Sequence, residues 1–288
     1  MNTVNPKNVV GSIAYYDGTT INFALKDDFS LEMGTPIGVV VIPNSHTDDG
    51  KCRIVSLVNM LHLTPEKGTI KEEDASLKWG VYNDKFTTYE GVINIEGDTS
   101  NSIGYLPFDI YSESPSELKY APEIIPNNER VLFSPPPYNL HDGSKNSLYY
   151  IKGQALSDMK GKSNTEYIVS LSPIKNQANG SFENECENYP AAMVCQMYHT
   201  EGTKSGDWYL PSIGELGYLF VKIGKINNTL ESLGLNAIKH RFQDDLWSST
   251  YANSHDDSGA IWILRSWCGG LYQALNYGLA KVRAFMIV

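Results

Sequence analysis

Four cysteines, six histidines and the adjacent acids Asp256 and Asp257 are the groups weighed for covalent or metal chemistry. Their spacing argues against most of it. Cys52, Cys186, Cys195 and Cys268 form no C-x-x-C pair and no zinc pattern, so they read as free thiols, although Cys186 and Cys195 are near enough to close a short loop. His199, His240 and His255 are not accompanied by a G-x-S-x-G elbow or another nucleophile arrangement. Asp256 and Asp257 stand side by side, whereas an oxygen-liganded calcium ion needs spaced carboxylates; they read as solvated loop acids. The expectation is a protein with no catalytic group, no metal and no cofactor.

What remains is contact chemistry. Tyrosine numbers 18 and aromatics reach 11 % of the chain, a composition that suits β-rich folds and tyrosine-rich contact surfaces. The concentration is greatest in "AIWILRSWCGGLYQALNYGLAKVRAFMIV", which is too apolar for a solvated loop and too broken by glycine for a core strand. A net charge of −10 without a basic patch excludes a nucleic-acid partner. The N-terminus carries no basic stretch followed by an apolar run, and "IGVVVI" is far too short to span a bilayer, so neither a secretion signal nor membrane insertion is expected.

The elements that must position these residues fall into three zones. Through about residue 115 the pattern is short β-prone runs and turns. "SIAYYDGTTINFAL" is a hairpin with a DG turn, and "GTPIGVVVIPNSHTDDGKCRIVSLV" places strands on either side of turn residues. Residues 116–146, with Pro135–Pro137, are dense in Pro, Ser and Asn and read as a stiff connector. Residues 147–288 read as helices followed by strands. Pro190 suits a first helical turn, with Ala191, Val194, Cys195 and Tyr198 at i, i+3, i+4 and i+7. Ser212 and Glu215 make an S-x-x-E capping box before Leu216, Leu219, Phe220 and Ile223; Ile226, Leu230 and Leu233 suggest a second short helix after Gly224. The fold class expected is α+β: a mainly β N-terminal domain (1–115), the connector, and an α+β domain (147–288).

Within the last zone, "DWYLPSIGELGYLF", "INNTLESLG", "WSSTYANS", "AIWIL" and a terminal "KVRAF" resemble, in that order, the C-type-lectin-like domain of bacterial surface and phage proteins. The resemblance is closest to the variable proteins that retroelements diversify in Bacteroides-type bacteria and their phages, related in fold to the phage major tropism determinant. It covers about residues 147–288, and "GTPIGVVVIPNSHTDDGKCRIVSL" also looks like the leading domain of such proteins. In that family the segment after "WSS" is the variable region, displayed on an invariant frame.

That resemblance implies frame positions at Trp247, Ser248, Ser249, Trp262, Val282, Arg283, Ala284 and Phe285. It implies ligand-contact positions at Tyr251, Asn253, His255, Asp256 and Ser258, then at Arg265, Trp267, Cys268, Leu271, Tyr272, Ala274, Leu275, Asn276, Tyr277 and Leu279. Tyr and Trp offer large, rigid area with a polar tip, and a few such anchors usually dominate an interface. The implied function is a receptor-binding protein or adhesin rather than an enzyme. Its target would be a bacterial surface protein or glycan. Its place would be a virion tail tip after cytoplasmic assembly, or alternatively a bacterial cell surface, and a homotrimer is the analogous assembly. Two alternatives follow from the same comparison. Formylglycine-generating enzymes share the broad fold, but their copper-dependent oxidation uses cysteines near the C-terminus, where "RSWCGG" supplies Cys268 without a second thiol. A structural module of a surface fibre is the other.

Overall fold

The computed structural model describes residues 8–60, 76–80, 124–125, 130–131, 158–170, 189–238, 245–252, 260–265, 270–275 and 278–288. For 124–125, 130–131, 252, 260, 265, 270–273 and 275 the description is of the backbone. It is a mixed helix and sheet structure whose sheets are antiparallel.

The first hairpin forms where the sequence places it. Strands β1 (Ile13–Tyr16) and β2 (Ile21–Ala24) pair antiparallel around Asp17–Gly18. The Asp17 carboxylate accepts from the backbone N–H of Thr19 and Thr20, both at 2.8 Å, and from Thr19 Oγ1 at 2.7 Å. These bonds hold its pKa well below the usual carboxylate range. Gly18, at φ 98°, takes the left-handed conformation that the turn requires. Strands β3 (Thr35–Ile42) and β4 (Arg53–Ser56) follow, the first a near-continuous buried run, as "IGVVVI" suggests. Three short strands, β5 (Leu77–Lys78) and the β6–β7 pair (Ile124–Ile125 with Arg130–Val131), come next.

Helices α1 (Gly161–Ser170) and α2 (Pro190–Met197) precede β8 (Trp208–Tyr209). Pro190 is in the first turn of α2, where its missing N–H costs no helical hydrogen bond, and Ala191, Val194, Cys195 and Tyr198 are all buried. Helix α3 (Ile213–Val221) has the expected capping box, with Ser212 and Glu215 reciprocally bonded. Helix α4 (Ile223–Ser232) starts directly after Lys222 and so runs through Gly224 rather than after it. Cys195 is a buried free thiol, so it closes no loop with Cys186, which lies outside the described residues. The chain ends in β9 (Leu246–Ala252), β10 (Ala260–Arg265), β11 (Gly270–Leu275), β12 (Leu279–Ala280) and β13 (Phe285–Ile287).

Sheet topology joins strands from both of the zones expected at 1–115 and 147–288. The six-stranded sheet has the order β2-β1-β3-β4-β13-β8, so strands from the two ends of the chain share one hydrogen-bonded layer. Phe285 is opposite Val55 on one side and Tyr209 on the other. Both faces of this sheet are apolar and both are covered. Val39, Val41, Val55 and Phe285 pack with α3 and α4, while Val40, Ile54 and Met286 pack with α1, α2 and β5. A sheet buried on both faces needs partners for both, and no single stretch of the chain supplies them. The expected connector, 116–146, is described only at β6 and β7.

Among the described residues no helix is long and apolar enough to cross a membrane. Because β4 needs β13 as its neighbour and α3 as its cover, residues 1–115 expressed alone should show no cooperative thermal transition by circular dichroism. A sharp melt from that fragment would mean the N-terminal strands stand without the C-terminal one.

Candidate functional site

The candidate contact segment begins where β9 leaves the core, and four consecutive residues, Trp247–Thr250, fix that departure point. All four are buried. Trp247 Nε1 donates to Leu77 O at 2.7 Å and Ser248 Oγ donates to Trp262 O at 2.6 Å. Ser249 N donates to Pro211 O at 2.8 Å, and its hydroxyl takes a 3.2 Å hydrogen bond from Asn164 Nδ2. Thr250 Oγ1 donates to Asp158 Oδ2 at 2.6 Å and accepts from Ile213 N at 2.9 Å. A β-strand with this many hydroxyls is poorly suited to an apolar core unless each one is bonded, since an orphaned buried polar group costs about 1–3 kcal/mol. Trp262 Nε1 is an exception, buried with no acceptor among the described residues.

Thr250 belongs to a buried carboxylate cluster. Asp158 also accepts from Lys160 N at 2.9 Å and from Asn164 Nδ2 at 3.0 Å. Ser212 Oγ donates to Asp158 O at 2.6 Å and touches Glu215 Oε2 at 3.1 Å. Glu215 accepts from Ser212 N at 2.8 Å and from Tyr209 OH at 2.8 Å, and Arg53 Nε stands 3.8 Å from its Oε1. Arg53 itself is committed to Asp49 through NH1 at 3.1 Å and NH2 at 2.9 Å. Burial dominates the electrostatics and pushes the Glu215 pKa up to about 7, against the lowering effect of its hydrogen bonds and of Arg53. Burial raises Asp158 as well. Ser212 Oγ has one hydrogen to share between Asp158 O and Glu215 Oε2. Gly161 leaves the room for this arrangement. A Cβ there would fall on Glu215 Oε2 and within 2.7 Å of Ser212 N.

At the far end of the contact segment the chain is fastened again. Arg283, almost wholly buried, donates from Nε to Asn59 Oδ1 at 2.6 Å and from NH1 to Ser56 O at 2.9 Å. Val282, Ala284 and Phe285 are buried. Every frame position expected from the sequence is therefore in the interior.

The contact positions divide differently. Arg265, Leu271, Tyr272, Ala274 and Leu275 are on β10 and β11, where Ala274 is opposite Ile261 and Tyr272 opposite Ile263. Tyr251, on β9, is opposite Ile261 from the other side, so Tyr251, Ile261 and Ala274 form one row across the sheet. Tyr251 and Ala274 are half-buried and pack against the second core cluster. They line the edge of the interior rather than standing clear of it. Leu279 is 67 % exposed, which a single apolar side chain on a two-residue strand gains nothing from in isolation. Asn253, His255, Asp256, Ser258, Trp267, Cys268, Asn276 and Tyr277 lie outside the described residues, as do the side chains of Arg265, Leu271, Tyr272 and Leu275.

Three residues that hold this face, Trp79, Asp158 and Thr250, carry no sequence signal of the role. Trp79 is far away in the chain, and a buried Asp or Thr looks like a surface one until its partners are known. No protein-family model, curated protein or solved structure matches the chain.

The Glu215 proton gives a measurable pH dependence. Between pH 4.5, the ordinary value, and about 7 the folded chain keeps a proton that the unfolded chain releases. Stability from this group is thus present at the acid end of that window and falls as pH rises through it. Thermal melts of wild type and E215Q should differ in slope, with the wild type losing more stability between pH 5 and 7. Parallel slopes would show that Glu215 is ionised in the fold.

Proposed function

We propose that the chain is a ligand-binding protein of the receptor-binding or adhesin kind. In this reading its C-terminal part has a C-type-lectin-like fold and presents a diversified surface, carried on a phage or prophage tail. The target is a bacterial surface protein or glycan, and assembly as a homotrimer follows the same analogy. The observation that supports this most is the division of burial along residues 246–288. Both flanks, Trp247–Thr250 and Val282–Phe285, are buried, and each is fastened by side-chain hydrogen bonds to distant elements. Between them Leu279 is exposed and Tyr251 and Ala274 are half-buried.

That pattern suits a surface whose residues change while its supports do not. A binding loop gains affinity when the ordering cost of its ends is met in the free protein, and two buried, bonded flanks do that. The acidic cluster at Asp158 and Glu215 is not an alternative site. Glu215 is buried with its oxygens already bonded within the frame, so it faces no ligand.

Exchange of residues 251–279 for the corresponding stretch of a sibling protein tests the reading. The exchanged chain should keep its melting temperature and change the set of bacterial strains it labels. An unchanged set, with the fold intact, would contradict it.

A further inference from the structure

The frame described above takes one of its supports from the N-terminal half of the chain. Residues 76–80 reach the C-terminal segment, where β5 pairs antiparallel with β12, Leu77 opposite Ala280 and Lys78 opposite Leu279. Directly beside this pairing are two reciprocal bonds. Trp79 Nε1 donates to Ser248 O at 2.8 Å, and Trp247 Nε1 donates to Leu77 O at 2.7 Å. Both indoles are 1 % exposed. The Trp79 ring also meets Tyr189 edge-on, centroids 5.6 Å apart, next to the start of α2.

We infer that Trp79 is a positioning residue for the proposed ligand-binding face: the paired indole–carbonyl bonds set β9 in register with residues 77–79, and the β5–β12 pairing carries that register to β12. The inference rests on the binding reading for its functional meaning. Its physical basis is separate. Packing alone would be served by any large ring at position 79, whereas the N–H fixes which carbonyl of β9 it meets. Each indole has a single donor, and each finds its acceptor in the segment carrying the other, so a slip of β9 against residues 77–79 breaks both bonds. A one-residue slip of β12 against β5 would turn Leu279 from the outer face to the inner one. Trp247 N donates to Lys281 O at 2.9 Å, which ties the same point of β9 to the end of β12. The exposed Leu279 is thereby held between two fixed neighbours, Lys78 across the pair and Ala280 in the core. Lys78 is exposed and lies beside Leu279, at the margin of the candidate face, from outside the segment expected to vary.

The test compares W79F, which keeps the ring and removes the donor, with W208F. Trp208 is equally buried and donates from Nε1 to Thr203 Oγ1 at 3.1 Å, away from β9. Hydrogen exchange of the full chain, followed by mass spectrometry, should be roughly tenfold faster in W79F over 246–252 and 279–282, and unchanged over β3. W208F should not reproduce that pattern. Labelling of a fixed panel of intact bacterial strains by the fluorescently tagged full chain gives the second readout: W79F should weaken labelling without altering which strains are labelled. Should W79F fail to fold, W247F removes the reciprocal bond and must accelerate the same segments. Uniform acceleration, or identical patterns in W79F and W208F, overturns the inference. The exchange result stands whatever the panel shows, so a failure of the binding reading is recognised separately, by the 251–279 exchange leaving the panel unchanged.

Discussion

A strand that buries three consecutive hydroxyl residues cannot sit in an apolar core unless other elements come to meet it. Ser248, Ser249 and Thr250 are all fully buried, and their bonds run to β10, to Pro211 and Asn164, and to Asp158 and the first turn of α3. Apolar residues would tolerate a range of positions at similar energy, because hydrophobic burial is non-directional. Hydroxyls do not, because each lost partner leaves a buried polar group unpaired. The position of β9 is therefore specified from several directions at once, and the rest of the C-terminal segment inherits that position through the β9–β10–β11 register.

The N-terminal strands make this possible. They supply the layer into which β13 inserts, and residues 76–80 supply the clip at the base of β9. The contact segment is thus held at both of its ends by parts of the chain remote in sequence. Four of the five tryptophans, Trp79, Trp208, Trp247 and Trp262, are fully buried, and truncating any of them to alanine would cost about 3–5 kcal/mol. The tryptophans among the described residues are structural, which leaves the fifth, Trp267, outside those residues, as the tryptophan of the candidate contact set.

Local signals were legible and long-range ones were not. The Asp17–Gly18 hairpin, the Pro190 helix start and the Ser212–Glu215 capping box each depend on neighbours within a few residues, and each is where the sequence pattern puts it. The burial of Trp247–Ser249 and Val282–Phe285 has no local signal, since two serines in a strand read equally well as a solvent-facing pair. Sheet order was not legible. A mainly β first zone and a β-rich end suggest two sheets, and nothing local says that Phe285 pairs with Val55. Asp158 and Thr250 were missed for a similar reason, as pairing partners 92 positions apart leave no periodicity. The half-burial of Tyr251 and Ala274 follows from their shared row with Ile261, which also needs the register to be known.

The proposed function requires one separation: the frame would carry the stability, and the segment it holds would carry the recognition. A library settles whether that separation is physical. Positions 253, 255, 256, 258, 267, 268, 276 and 277 would be randomised together, with all described frame residues kept, and the melting temperature of each purified variant measured. Most variants should melt within about 5 °C of the wild type, the shift expected for roughly 1–2 kcal/mol in a chain of this size. A library in which most members fail to fold would show that these positions support the core, and that the frame is not a frame.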